Sequence, residues 1–205
     1  MDAEGWDERY AATELVWSAE PNRFVAAECA DLPPGTAVDL AAGEGRNAIW
    51  LARRGWTVTA VDFSQVALDK GARLAGDTVV TWVRADATAW TAPEPVDLVV
   101  IAYLQLPAGA RRAAVTAAYD ALRPGGTLVW VAHDSTNLTE GTGGPQDPSV
   151  LVTAEDVLDD LDGRPLHVVR AGRVARQVAP SGDHHEHAGE PARTAWDCLV
   201  RVEKV

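Results

Sequence analysis

"AVDLAAGEGRN", Ala37 to Asn47, is the stretch that decides how this chain is read. An apolar run leads into two glycines one residue apart, and a helical pattern begins directly behind them. That is a strand, a tight turn and a helix start with free N–H groups, the shape of a nucleotide-binding turn. A phosphate-cradling GxxxxGK[ST] loop is excluded, because the turn has neither the lysine nor the hydroxyl. "GEGRNA", Gly43 to Ala48, does fit the G-x-G-x-x-G/A spacing of a dinucleotide turn, with Asp62 about 20 residues on as the ribose acid. The neighbouring carboxylates argue against it. Asp39 near the strand end and Glu44 inside the turn would both meet a pyrophosphate. At ~5 Å and an effective dielectric of ~20, one such like-charge pair costs roughly 3 kcal/mol before screening. S-adenosylmethionine reverses that logic, since it carries a cationic sulfonium and ammonium and no phosphate. Gly43 and Gly45 would keep the turn open, Asp39 would attract the cationic end, and Asp62 would accept from both ribose hydroxyls.

Outward from this turn, apolar runs alternate with helical patterns. Thr36–Ala41, Thr57–Asp62, Thr78–Val83, Val96–Leu104 and Thr127–His133 read as strands, several apolar throughout, as strands covered on both faces are. Between them, Arg46–Arg54, Gln65–Ala75 (N-capped by Ser64) and Ala108–Leu122 read as helices. Thr153 with Asp156 forms a capping box that opens Ala154–Leu161. Pro165–Val178 and Ala192–Val205 read as an antiparallel pair at the sheet edge, joined by the polar loop Ala179–Pro191. The alternation predicts one α/β domain with an open, doubly wound sheet. In front of it, Trp6, Tyr10, Trp17 and Phe24 recur at roughly helical spacing over Gly5–Ala30, as in a helix or helix pair packed on the sheet or closing over a ligand. Asp39, Asp62 and Asp86 then fall at the C-terminal ends of three successive strands, the face where open α/β sheets bind ligands. There Asp86 can accept from an adenine amino group.

Composition narrows the partners. The 205 residues carry a net charge of −12, which disfavours nucleic acid and anionic membrane. Two cysteines, Cys29 and Cys198, lack metal-ligand spacing and fit a reducing, cytoplasmic setting. The acidic, polar N-terminus does not read as a signal peptide, and no apolar run approaches a membrane span of ~20 residues. No resident metal is expected. A monomer or homodimer is.

These motifs together resemble the class I S-adenosylmethionine-dependent methyltransferases. "VDLAAGEGRNA" is similar to their first motif, "VDFS" to the second, "RADA" to the third, "VDLVVIAYL" to the fourth and "LRPGGTLV" to the approach to strand five. The "GxGRN" ending and the aromatic segment starting "WDERY" look most like the tellurite-resistance and thiopurine methyltransferase branch. The resemblance implies a Rossmann-like, mostly parallel seven-stranded sheet with the last strand antiparallel, plus an N-terminal helical segment. It implies S-adenosylmethionine as cofactor, with Asp39, Gly43 and Gly45 around the methionine moiety, Asp62 on the ribose, and Asp86 with Ala87 near the adenine. Arg46 and Asn47 are typical of the branch, and Phe63 and Tyr103 are expected along the cofactor. Ala41 departs from the pattern, since it stands where the first motif glycine belongs and narrows the ligand's approach.

The same implied division gives a lid over 1–30, a cofactor core over 36–133 and acceptor-side loops over 134–152 and 179–191. Methyl transfer is an in-line displacement, so the acceptor must lie ~3–3.5 Å from the methyl carbon, opposite the sulfur. His133 ends strand five on the cofactor's face and, with His184, is a candidate general base or acceptor-orienting group. Tyr10, Trp17, Tyr103, Gln105, His185 and His187 are candidates for holding a small-molecule acceptor: a thiol, metalloid, phenol or amine. Two other functions fit the chain less well. One is a small NAD(P)-dependent oxidoreductase using Gly43–Ala48, and the other is a non-catalytic S-adenosylmethionine-binding regulator.

Overall fold

The computed structural model describes residues 3–178 and 193–205. Seven strands form one sheet: β1 (Thr36–Leu40), β2 (Thr57–Asp62), β3 (Thr81–Arg84), β4 (Val96–Ala102), β5 (Leu122–His133), β6 (Leu166–Val178) and β7 (Arg193–Lys204), in the order β3-β2-β1-β4-β5-β7-β6. β1 to β5 pair in parallel. β7 pairs antiparallel with both β5 and β6, so six strands share one direction and the last opposes them. The strand order reverses between β1 and β4, and the crevice above that switch point is where such sheets bind ligands.

Continuous apolar strands need cover on both sides, and the helices supply it. Leu98 and Val100 of β4 face Val25, Cys29 and Leu51, from α2 (Arg23–Cys29) and α3 (Arg46–Arg53). Val99 and Ile101 point the other way, onto Val115, Ala118 and Tyr119 of α5 (Ala108–Ala121) and Val157 of α7 (Ala154–Asp159). The period-two alternation of one strand thus feeds two separate cores. Cys29 and Cys198 are buried free thiols within these cores, both pushed up by burial, Cys29 to about 12.

Three strand limits differ from the sequence reading by two residues or more. β3 begins at Thr81 because the Thr78 N–H closes the end of α4 (Gln65–Ala75) on the Ala75 carbonyl at 3.0 Å, leaving Val79 exposed. β4 stops at Ala102 because Tyr103 turns the chain at φ 60. β5 starts at Leu122, and the exposed Arg123–Gly125 lies within an irregularity in its pairing with β4.

The N-terminal segment is a helix pair, α1 (Ala3–Ala11) and α2. Lys70 of α4 clamps it: Nζ donates to the carbonyls of Tyr10 and Thr13, both at 2.8 Å, and pairs with Glu44 at 2.7 Å. Three donors meet three acceptors, which satisfies a nearly buried ammonium. Asn22 caps α2 through Phe24 N–H and Val25 N–H, and its own N–H donates to Asn47 Oδ1 at 2.9 Å. Segment 134–152 contains a short helix, α6 (Asn137–Glu140), and a single 3-10 turn (Pro148–Val150). The loop over Ala179–Pro191, with His184, His185 and His187, lies outside the described residues.

Candidate active site

At the switch point the β1–α3 turn reaches positive φ three times, at Ala41 (62), Gly43 (56) and Gly45 (73). A Cβ on Gly45 would run into the Trp82 indole, and one on Gly43 would stand 2.7 Å from the Tyr10 hydroxyl, so both glycines are required by contact as well as by backbone. Asp62 fastens the turn: Oδ2 accepts from the Gly43 N–H at 2.8 Å and Oδ1 from the Ser64 N–H at 2.9 Å. Burial pushes its carboxyl up against those bonds. Asp39 is buried. Its Oδ2 accepts from the Ala48 N–H at 3.0 Å and its Oδ1 has no partner. Burial raises this acid to about 7, against the Ala48 bond and the charge of Arg46.

A cavity of about 90 Å³ opens over this turn, walled by Ala41, Gly43, Asp62 and Phe63 below and by Tyr10 and Trp17 above. Arg46, Asn47, Tyr103 and Gln105 complete the expected residues that it gathers. Ala41 carries the left-handed backbone that favours glycine, at a strain of about 1–2 kcal/mol. Ala41→Gly removes that strain but frees the unfolded chain by about 0.5–1 kcal/mol. We expect stability within about 1 kcal/mol of the parent, with S-adenosylhomocysteine bound equally or more tightly in titration calorimetry. A tenfold loss would mean that the methyl group makes a contact the ligand needs.

Asp39 and Gly45, expected around the methionine moiety, are not among the walls of this cavity, and Glu44, Asp86 and Ala87 stand elsewhere too. Glu44 does not face the cavity: it pairs with Lys70 and accepts from the Val16 and Trp17 N–H groups at 3.1 Å. Its charge is neutralised inside the clamp, so it does not weigh against a pyrophosphate as the sequence reading held. Asp86 is exposed at the end of β3, one oxygen closing a turn on the N–H and hydroxyl of Thr88, both at 2.8 Å. Ala87 is buried in the core below. Neither is among the cavity walls.

A second, larger cavity of about 660 Å³ adjoins the first through Trp17, Arg46, Tyr103 and Gln105. His133 lines it, under Gly144 of segment 134–152, and Arg9, Arg23 and Arg176 surround it. The organising residue is Asp197 of β7, fully buried and paired in register with His133. Its Oδ2 accepts from the Tyr103 hydroxyl at 2.9 Å and from Arg176 Nε at 2.7 Å, and its Oδ1 lies 3.3 Å from His133 Nδ1. That last approach is an ion-pair distance only, since Nδ1 makes no hydrogen bond. Burial would raise Asp197, but His133, Arg176 and Tyr103 together hold it below the ordinary carboxylate range. Burial and the Asp197 charge push the Tyr103 hydroxyl up to about 12. No histidine, cysteine or carboxylate cluster fit for a metal occurs among the described residues.

Residues 37–126 match the family model described as "Methyltransferase domain". Over that stretch the chain is similar to the class I S-adenosylmethionine-dependent methyltransferases. It is 26% identical, over 75% of its length and 71% of the relative's, to thiocyanate methyltransferase 1 of Brassica oleracea. A structure titled "Conversion of a Disulfide Bond into a Thioacetal Group during Echinomycin Biosynthesis" superposes at a TM-score of 0.73, with 22% identity over 98% of this chain and 92% of that one. TehB from Haemophilus influenzae superposes at 0.70, with 15% identity over 99% of this chain and 67% of that one. Structures sharing the fold include chains solved with S-adenosylmethionine or S-adenosylhomocysteine. The methyltransferase match supports S-adenosylmethionine as the cofactor, and the oxidoreductase alternative is set aside.

The methyltransferase's own atoms fit that cofactor. Asp39 Oδ1 is a buried acceptor without a partner beside the glycine turn, suited to a cation. Each Asp62 oxygen makes one side-chain bond to a backbone N–H, leaving lone pairs free for hydroxyl donors. Sequence reasoning missed Asp197, Arg176, Arg9, Arg23 and Asn22. Asp197 lies in the middle of an apolar run, and only the β5–β7 register brings it to His133.

Proposed function

We propose that this methyltransferase moves the methyl group to a small soft nucleophile held in the larger cavity, a thiol first among thiol, metalloid, phenol and amine. The carrying observation is that cavity's size and lining: about 660 Å³, within the usual range of roughly 300–1,000 Å³ for small-molecule sites, and bordered by the N-terminal segment, segment 134–152 and β6. Bound S-adenosylmethionine supplies an electrophilic methyl group on a sulfonium. Trp17, Arg46, Tyr103 and Gln105, which line both cavities, set the line of approach between acceptor and cofactor. Among the described walls His133 is the one imidazole, and the Tyr103 hydroxyl, pushed to about 12, keeps its proton. One weakly basic group suits an acceptor that needs little deprotonation, such as a thiol. The thiocyanate methyltransferase relative supports the same class. Asp197, 3.3 Å from Nδ1, faces that side of the His133 ring with its charge and leaves Nε2 for the acceptor.

In this reading residues 1–30 are a lid. The cofactor-side cavity of about 90 Å³ is several times too small for a nucleoside ligand, because Tyr10 and Trp17 come down on Gly43. Admission of the cofactor requires α1 and the chain behind it to swing off the Glu44–Lys70 clamp. The test is a panel of thiols, metalloid oxyanions, phenols and amines with labelled cofactor, followed by S-adenosylhomocysteine release. Transfer to thiols above the rest is expected. Label appearing only in protein or nucleic acid would overturn the reading.

A further inference from the structure

We propose that the acceptor carries a permanent anionic group, such as a carboxylate, seated on Arg9, Arg23 and Arg46. This rests on the reading above that the larger cavity is the acceptor site. The chain as a whole is strongly acidic, at −12, yet this cavity presents four guanidinium groups and no aspartate or glutamate among its described walls. Only one of the four is neutralised: Arg176, by Asp197 at 2.7 Å. Arg9, Arg23 and Arg46 have no carboxylate partner among the described residues. They rest on rings instead, Arg9 over Trp6 and Trp17 at 5.0 and 5.5 Å, Arg46 over Trp17 at 6.0 Å, and Arg23 over Phe24 at 5.5 Å. A guanidinium placed over a ring keeps its N–H edge free, and that edge matches a carboxylate in a two-point contact.

Arg46 shows the imbalance best. It is half-buried, and its one side-chain hydrogen bond is to the Ser18 hydroxyl at 3.4 Å. Burial lowers its affinity for the proton and the Arg176 charge adds to that, although Tyr103 and Asp39 oppose it. A cation desolvated in this way gains from an incoming anion.

The cofactor's own carboxylate is a second source of negative charge, and the walls separate the two. Arg46 lines both cavities, whereas Arg9, Arg23 and Arg176 line only the larger one. Arg9 and Arg23 therefore report on the acceptor.

The experiment measures binding to the protein saturated with S-adenosylhomocysteine, so that no turnover is needed. The probes are 2-(methylthio)benzoate and the equally shaped neutral 2-(methylthio)benzamide. We expect the carboxylate to bind about tenfold more tightly at low salt, with the preference shrinking as salt screens it. In Arg9→Gln/Arg23→Gln the preference falls towards parity while affinity for S-adenosylhomocysteine is unchanged. Equal binding of the two probes, no binding of the carboxylate, or an undiminished preference in the double variant overturns the proposal. So does a preference that disappears only in Arg46→Gln together with affinity for S-adenosylhomocysteine, which would assign the anion site to the cofactor. Methyl transfer to neutral thiols without any anion preference would sink this inference alone. An intact anion preference with no transfer to any small nucleophile would sink the functional reading instead.

Discussion

Asp197→Ala is expected to lower the unfolding free energy by about 3–5 kcal/mol, the usual result of removing one partner of a buried ion pair. The carboxylate is completely buried and is shared by Arg176, the Tyr103 hydroxyl and His133. Truncation leaves Arg176 without its counter-charge and Tyr103 without an acceptor, at a strand junction where β5, β6 and β7 meet. Asp197→Asn keeps the shape and one acceptor oxygen, so it should lose less. Denaturant melts of the three proteins measure the order, and an alanine variant within about 1 kcal/mol of the parent would contradict it. The pH dependence has a definite sign. The folded carboxyl sits below its unfolded value of roughly 3.9. Its contribution is therefore complete above pH ~4 and is lost as pH falls through the lower, folded value. The gap between the parent and Asp197→Asn should close in acid and stay constant from pH ~5 upwards. The same variants lose the charge that lies 3.3 Å from His133 Nδ1, so the rate of transfer should fall in Asp197→Asn even where the protein remains folded.

This network marks the boundary of what the chain's sequence reveals. The β1–α3 turn was legible because everything that shapes it is local: the apolar run of β1, two glycines at positive φ, and the helix behind them. Asp62 was legible for the same reason, as the last residue of an apolar strand. Glu44 was misread because its partners, Lys70 and the N–H groups of Val16 and Trp17, lie 26 to 28 residues away and on separate elements. Asp86 was read by its place at a strand end, but Thr88 two residues on already uses one oxygen to close a turn. Asp197 gave no local signal. Its register with His133 spans the whole of segment 134–152, α7, β6 and the residues between β6 and β7. Arg176 reaches the same carboxylate because it lies two residues along β6 from Val174, which pairs with Asp197, and so shares its face. Periodicity fixes which elements exist, while antiparallel pairing at the sheet edge decides which distant charges meet.

Asp39 gives the second large effect, on binding rather than on folding. In the ligand-free protein this buried acid is raised to about 7, so near neutrality it holds its proton part of the time. Its folded value lies above the unfolded value of roughly 3.9, so between pH ~4 and ~7 the folded chain keeps a proton that the unfolded chain releases. Stability from this group therefore falls as pH rises across that window, by up to roughly 4 kcal/mol at ~1.4 kcal/mol per unit. An ammonium placed against the unpartnered Oδ1 favours the carboxylate and pulls the proton off. S-adenosylhomocysteine keeps that ammonium and cannot react, so it is the probe of choice. Its binding at pH 6–7 should release a proton, seen as a dependence of calorimetric heat on the buffer's ionisation enthalpy. Its affinity should climb by up to tenfold per pH unit towards pH ~7 and then level off. Asp39→Asn removes the titration and the charge but keeps the Ala48 acceptor. It should flatten the pH dependence, abolish the proton release and weaken binding by about 10- to 100-fold, the value of a hydrogen bond to a charged group. Above pH ~7 the same variant should unfold at a higher temperature than the parent, because a buried, incompletely partnered carboxylate has been replaced by a neutral amide. Buffer-independent heats together with unchanged affinity in Asp39→Asn would remove Asp39 from the cofactor site. Looser binding paired with a more stable ligand-free protein is the outcome that a purely structural carboxylate would not give.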